Sequence, residues 1–186
     1  MKKEEFKSLV KKLKGLNYCF FSGFAMFLLT KGKRNFNDID ILIDEEDIHK
    51  LAKRLGTKAQ KRRIDKGTHI IEDIGFETNF MGQEIEAVTS KNKGEREKLK
   101  LTFENKKLVK YKDQLIFIEP IEELIVRKAH FSREKDLADI KLISNKHFNK
   151  PLVEKFAENW GNKEEIIKKL KELGVKYGKR RIFKKT

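Results

Sequence analysis

The run Asn37-Asp38-Ile39-Asp40-Ile41-Leu42-Ile43 constrains this chain more than any other stretch. Branched apolar residues favour an extended strand, and along a strand successive side chains point to opposite faces. Asp38 and Asp40 therefore share one face while Ile39 and Ile41 occupy the other. Two carboxylates at that spacing raise each other's pKa, and a cation between them removes the cost. The pair is a candidate metal site.

What stands upstream strengthens that reading. Tyr18 to Phe21 reads as a short buried strand, Ser22-Gly23 as a tight turn, and Phe24 to Leu29 as a helix apolar on every side, hence covered all round. Free backbone amides and the positive end of the dipole at such a helix start can hold a phosphate, and Gly23 permits close approach. A phosphate seat beside a metal-binding acid pair is what phosphoryl or nucleotidyl transfer requires.

The other elements follow from periodicity. Phe6, Leu9, Val10 and Leu13 predict an amphipathic helix over 3–14, closed by Gly15, and Asp44-Glu45-Glu46-Asp47 predicts the acidic first turn of a helix carrying Ile48, Leu51, Ala52 and Leu55. Residues 57–67 read as a basic connection. Short strands are expected at 69–74, 76–81 and 84–88, joined by turns at Gly75 and at Gly82-Gln83. The charged segment 91–100 reads as a loop or an exposed helix start. Leu101 to Phe103 and Leu108 to Lys110 form a hairpin-like pattern around Asn105, and 115–118 is a further strand. Pro120 starts a helix where proline is best tolerated, and the chain is mostly helical beyond it.

Ser22-Gly23-Phe24, then Arg34, then Asp38-Ile39-Asp40-Ile41 resemble the signature of the DNA polymerase beta-like nucleotidyltransferase superfamily, a glycine with a small neighbour followed by an apolar-flanked acid pair. The minimal nucleotidyltransferase and abortive-infection toxin branches are the nearest in character. Two positions depart from the pattern: Phe24 stands where the family has a second small residue, and Phe36 where it often has Ser or Thr.

The resemblance implies an α+β nucleotidyltransferase fold, a small mixed β-sheet flanked by helices. A core over 1–118 would carry a helical C-terminal segment over 119–186 packed on it. It also implies a third acid on a later strand. Glu86, between Ile85 and Ala87, is the choice, with Glu84 and Glu77 as alternatives and an ordinary exposed strand glutamate as the competing reading. Lys128, Arg133-Glu134-Lys135-Asp136 and Asp139 follow the order of the family's C-terminal cations and acids. Lys128 extends the apolar stripe Ile121, Leu124, Ile125, so it either snorkels to water or meets an anion, and a structural ion network with Asp136 and Asp139 is the alternative to a nucleotide contact.

By the same resemblance, Asp38, Asp40 and Glu86 would be catalytic and would bind Mg2+ or Mn2+. Ser22, Gly23, Arg34 and Lys128 would hold a nucleoside triphosphate such as ATP. The reaction would pass a nucleoside monophosphate to an acceptor hydroxyl, on RNA or a protein, releasing pyrophosphate. A non-catalytic nucleotide- or RNA-binding module on the same fold, or a component of a toxin and antitoxin pair, is the alternative.

Composition bears on partners and compartment. The 44 Lys and Arg against 29 Asp and Glu leave a net charge of +15, which suits polyanionic partners or a solvated basic face equally. Ten Lys or Arg against three Glu crowd residues 163–186, where Tyr177 and Phe183 stand among the cations; a solvated or core-packed terminus competes there with a strand-binding one. The lone Cys19 supports neither an internal disulfide nor a metal cluster, and His49, His69, His130 and His147 lack ligand spacing, which argues against zinc. The apolar run at 16–29 is shorter than the roughly 20 residues a membrane span needs, and acids interrupt the basic residues before it, so a cytoplasmic protein with no membrane partner is expected.

Overall fold

The computed structural model describes residues 1–65, 70–90 and 93–178. The chain divides into two compact units, Met1–Glu119 and Pro120–Thr186. In the first, helices α1 (Lys3–Leu13), α2 (Ser22–Leu29), α3 (Glu45–Arg54) and α4 (Lys93–Asn105) accompany strands β1 (Tyr18–Phe21), β2 (Asp38–Ile43), β3 (Gln60–Asp65), β4 (Ile70–Phe80), β5 (Gln83–Ser90), β6 (Lys107–Tyr111) and β7 (Gln114–Ile118). The strands form one mixed sheet in the order β3-β4-β5-β2-β1-β7-β6. Only the β2–β5 and β1–β7 pairings in it are parallel.

This sheet has its acid-bearing strand inside. Ile39, Ile41 and Ile43 of β2 are completely buried, as are Phe20 of β1 and Ile85 and Ala87 of β5. Phe6, Leu9 and Leu13 of α1 and Ile48 and Leu51 of α3 join the same core. The stripe from Phe6 to Leu13 and the one from Ile48 to Ala52 thus bury the faces that their spacing marked out.

Three local expectations are corrected. The basic connection contains β3, an edge strand paired residue for residue with β4. Its charges hid it from a hydrophobic pattern, because an edge strand takes its ladder from one neighbour and can leave most side chains in water. Gly75 is not a turn; it lies in mid-strand, opposite Gln60 on one side and Val88 on the other. Leu101 to Phe103 is the last part of α4, not a strand: Leu99, Leu101 and Thr102 are buried, and the Thr102 hydroxyl donates to the Lys98 carbonyl one turn back at 3.0 Å. The hairpin is formed instead by β6 and β7.

The second unit contains α5 (Ile121–Phe131), α6 (Glu134–Ile143), α7 (Lys150–Asn159) and α8 (Lys163–Glu172), with β8 (Phe148–Asn149) and β9 (Tyr177–Gly178) as a short parallel pair. Ser132, in the left-handed region at φ 53°, ends α5 and lets the chain reverse into α6. Burial pushes the Tyr177 phenol up to about 12. Of the basic stretch 163–186, residues 179–186, Phe183 among them, lie outside the described residues. Among the described residues no helix is long and apolar enough to cross a membrane.

Candidate active site

Asp38 is half-buried and Asp40 only 7% exposed. Register decides their neighbours. Asp38 lies opposite Glu84 and Asp40 opposite Glu86 across the parallel β2–β5 pair, while Glu86 faces Glu77 across β5–β4. Residues opposite each other project from the same face, so Asp40, Glu86 and Glu77 form one row over three strands.

The turn before α2 lies at the other flank of β2, where Phe21 pairs with Asp40. Ser22 adopts φ 57°, a left-handed conformation that costs a non-glycine residue about 1–3 kcal/mol and needs outside support. Glu119 supplies it. The Ser22 amide donates to Glu119 Oε1 at 2.5 Å, and the Glu119 amide donates to the Phe20 carbonyl at 2.9 Å. Glu119 is 1% exposed, so a carboxylate already lies against the positive end of α2. Sequence reasoning missed this residue; its one signal was an acid between an apolar strand and a helix-starting proline.

Gly23 has ordinary backbone angles. A methyl group there would lie 3.7 Å from Phe36 Cβ and 4.0 Å from Asp38 Oδ1, both normal contacts. The glycine is not demanded by packing; what it leaves is open backbone facing the Asp38 carboxylate. Arg34 follows in the loop before β2, half-buried, its amide donating to Thr30 Oγ1 at 3.2 Å and its guanidinium to the Asn35 carbonyl.

The two family departures have a packing reason. Phe24 is fully buried and touches Phe6, Phe20, Phe36 and Tyr111 edge-on or tilted, with centroids 4.9–5.8 Å apart. Phe36 packs on Phe24 and Phe27, each at 4.9 Å. Phe24 therefore fills the core and the half-buried Phe36 packs against it, where aromatic pairs gain beyond their buried area.

Glu86 is engaged elsewhere than with the acid pair. Its carboxylate accepts from Arg62 Nη2 at 2.9 Å. The same guanidinium grips Asp73 with two bonds of 2.9 Å and reaches Glu77 at 3.3 Å. Hydrogen bonding to Asp73, supported by Glu86, raises Arg62 beyond its already high range. Lys128, in the second unit, donates to Asp136 at 3.0 Å and Asp139 at 2.8 Å, all three buried. Arg133 adds a 2.6 Å bond to Asp136. Lys135 is exposed.

Among the described residues no group of three or more His, Cys, Asp or Glu is arranged to hold a metal ion. His49 and His147 are exposed, His130 packs on Trp160, and His69 lies outside the described residues. Asp38 and Asp40 are the two carboxylates that could hold a cation, a donor set that fits Mg2+, which keeps waters and takes one or two carboxylates plus substrate phosphates.

No family model matches the sequence, and no curated protein matches it. Solved structures do. An antigenic nucleotidyltransferase-like protein from Paracoccidioides brasiliensis aligns over 96% of this chain and 95% of its own, at TM-score 0.51 and 15% identity. The chain has a nucleotidyltransferase fold. A Thermotoga maritima protein described as a candidate nucleotidyltransferase aligns over 64% of this chain and 77% of its own, at TM-score 0.46 and 16% identity. The antibiotic-resistance factor ANT(2'')-Ia aligns over 92% and 88%, at TM-score 0.45 and 9% identity. Within the nucleotidyltransferase fold seen here, β2 carries the acid pair and the start of α2 stands beside it.

Proposed function

We propose that this chain transfers a nucleoside monophosphate from a nucleoside triphosphate to an acceptor hydroxyl. The observation that carries the reading is the juxtaposition of Asp38 with the start of α2: the Asp38 carboxylate faces the bare backbone of Gly23. In the reaction the acceptor oxygen bonds to the α-phosphorus, the bond from that phosphorus to the bridging oxygen breaks, and pyrophosphate leaves with the electron pair. Asp38 and Asp40 would hold Mg2+ or Mn2+; when bound, the ion polarises the phosphate and offsets developing charge.

Gly23 and Arg34 are the proposed phosphate contacts on this unit. The Ser22 amide would join them by exchanging Glu119 for a phosphate oxygen, while Lys128 is assigned to the structural ion network of its own unit with Asp136 and Asp139. Glu86 is the proposed third acid, orienting the acceptor hydroxyl and taking its proton. To do so it must turn from Arg62 toward Asp40. RNA or a protein is the proposed acceptor, consistent with the basic composition, and the cytoplasm the proposed compartment.

Asp40→Asn tests the reading. With labelled triphosphates, Mg2+ and mixed RNA and protein acceptors, the variant should lose transfer by roughly a hundredfold or more while its unfolding curve matches the parent. Equal activity in the variant refutes the assignment. One observation favours a second reading, a non-catalytic nucleotide- or RNA-binding module: the Glu86 carboxylate is already neutralised by Arg62. Binding of RNA with a steep salt slope, and no metal-dependent triphosphate binding, would select it.

A further inference from the structure

Arg62 belongs to no motif, yet it is the cation that the acidic face of the sheet is built around. It projects from edge strand β3 opposite Asp73 and crosses β4 to reach Glu86 on β5. The crossing is possible because Gly75 has no side chain. A Cβ at Gly75 would come within 2.7 Å of Arg62 Nε, Cζ and Nη2, closer than real contacts allow. The guanidinium therefore lies flat over bare backbone, only 11% of its side chain exposed, with Asp73, Glu77 and Glu86 around it.

Glu86 consequently stands between a cation and the acid pair. On the β4 side it meets Arg62; on the β2 side its register partner is Asp40. Two like charges on Asp40 and Glu86 oppose each other across the β2–β5 pair, whereas the guanidinium attracts Glu86 and holds it. A divalent ion on Asp38 and Asp40 reverses the sign of the first effect. The 29% exposure of the Glu86 side chain leaves it room to swing.

We propose that Arg62 is a built-in competitor for the third carboxylate, holding Glu86 away from the Asp38 and Asp40 site until a divalent cation draws it across. This rests on the reading of that acid pair as a cation site. Arg62 is then a positioning residue: it touches no reacting atom and acts through Glu86. A cation would first meet two carboxylates, and release of Glu86 would supply a third.

Mn2+ binding, followed by water-proton relaxation or electron paramagnetic resonance on the full chain without nucleotide, reads this directly. Asp40→Asn should abolish Mn2+ binding, and unchanged binding there overturns both the acid-pair reading and this inference. Arg62→Met should tighten Mn2+ by roughly tenfold, the size of a coupling between contacting charged groups. Glu86→Gln should weaken Mn2+ binding by the parent and erase the gain in the Arg62→Met background. That dependence separates release of Glu86 from the mere loss of a nearby positive charge. If Arg62→Met does not fold, Gly75→Ala displaces the guanidinium while keeping every charge, and it should tighten Mn2+ in the same direction. Parent-like affinity in the displaced variant, or a gain that survives Glu86→Gln, overturns the inference while Asp40→Asn still reports on the acid pair.

Discussion

Two cations in this molecule are each surrounded by carboxylates, and they are built on different principles. Lys128 meets Asp136 and Asp139, eight and eleven residues further along, through a helix, a reversal at Ser132 and the next helix. Arg62 meets Asp73, Glu77 and Glu86 over separations of eleven to 24 residues, through the lateral pairing of three strands. The side chains of the first cluster are 7%, 1% and 4% exposed, so each charge depends on its partners alone. In the second, Glu77 and Glu86 keep contact with water at 63% and 29% exposure. A buried cluster has one arrangement it can afford; a half-exposed one can exchange partners.

Truncating the two cations should separate the clusters most sharply. Lys128→Met removes the buried cation shared by two buried aspartates, of which Asp136 keeps Arg133, and should cost about 3–5 kcal/mol in urea unfolding. Arg62→Met leaves one buried acid, Asp73, and two that water can reach, so about 1–3 kcal/mol is expected. If the two variants lose equal stability, the contrast in burial does not govern them.

Acid should probe the helical cluster next. Burial opposes ionisation of Asp136, but hydrogen bonds from Arg133 and Lys128 outweigh it and hold the carboxyl below its ordinary range. A depressed folded pKa contributes stability that is present above about pH 4 and lost as pH falls through the folded value. Asp136→Asn should therefore flatten the loss of stability below pH 4, measured by thermal unfolding across pH 2–5 as an order-of-magnitude window. A slope unchanged in the variant would remove Asp136 from the account.

The smallest effect belongs to Gly23, which contrasts with Gly75. A methyl group is accommodated at Gly23 and collides with Arg62 at Gly75. Gly23→Ala should leave stability within about 0.5 kcal/mol of the parent yet weaken triphosphate binding by blocking the backbone beside Asp38. Parent-like triphosphate affinity would take Gly23 out of the proposed seat.

Much of the first unit was legible because its elements announce themselves locally. The alternation in β2, the stripes of α1 and α3 and the glycine-bearing entry to α2 each need only near neighbours to be read. The strand β3 escaped because Lys61, Arg62 and Arg63 carry no apolar alternation, and Gly75 passed for a turn because what lies over it comes from another strand. Phe24 and Phe36 looked like intrusions in the phosphate seat. Only their ring contacts reveal Phe24 as core and Phe36 as packed against it.

The sequence by itself determined the α+β class and the shared face of Asp38 and Asp40, since periodicity along a chain is a local property. Tertiary structure alone decided which charges meet. Register placed Glu86 beside Asp40, and a missing side chain at Gly75 let Arg62 reach it across a strand. Glu119 reached the amide of Ser22 from 97 residues away. Electrostatic partnership depends on distance in space, and lateral strand order, which no single segment encodes, sets that distance.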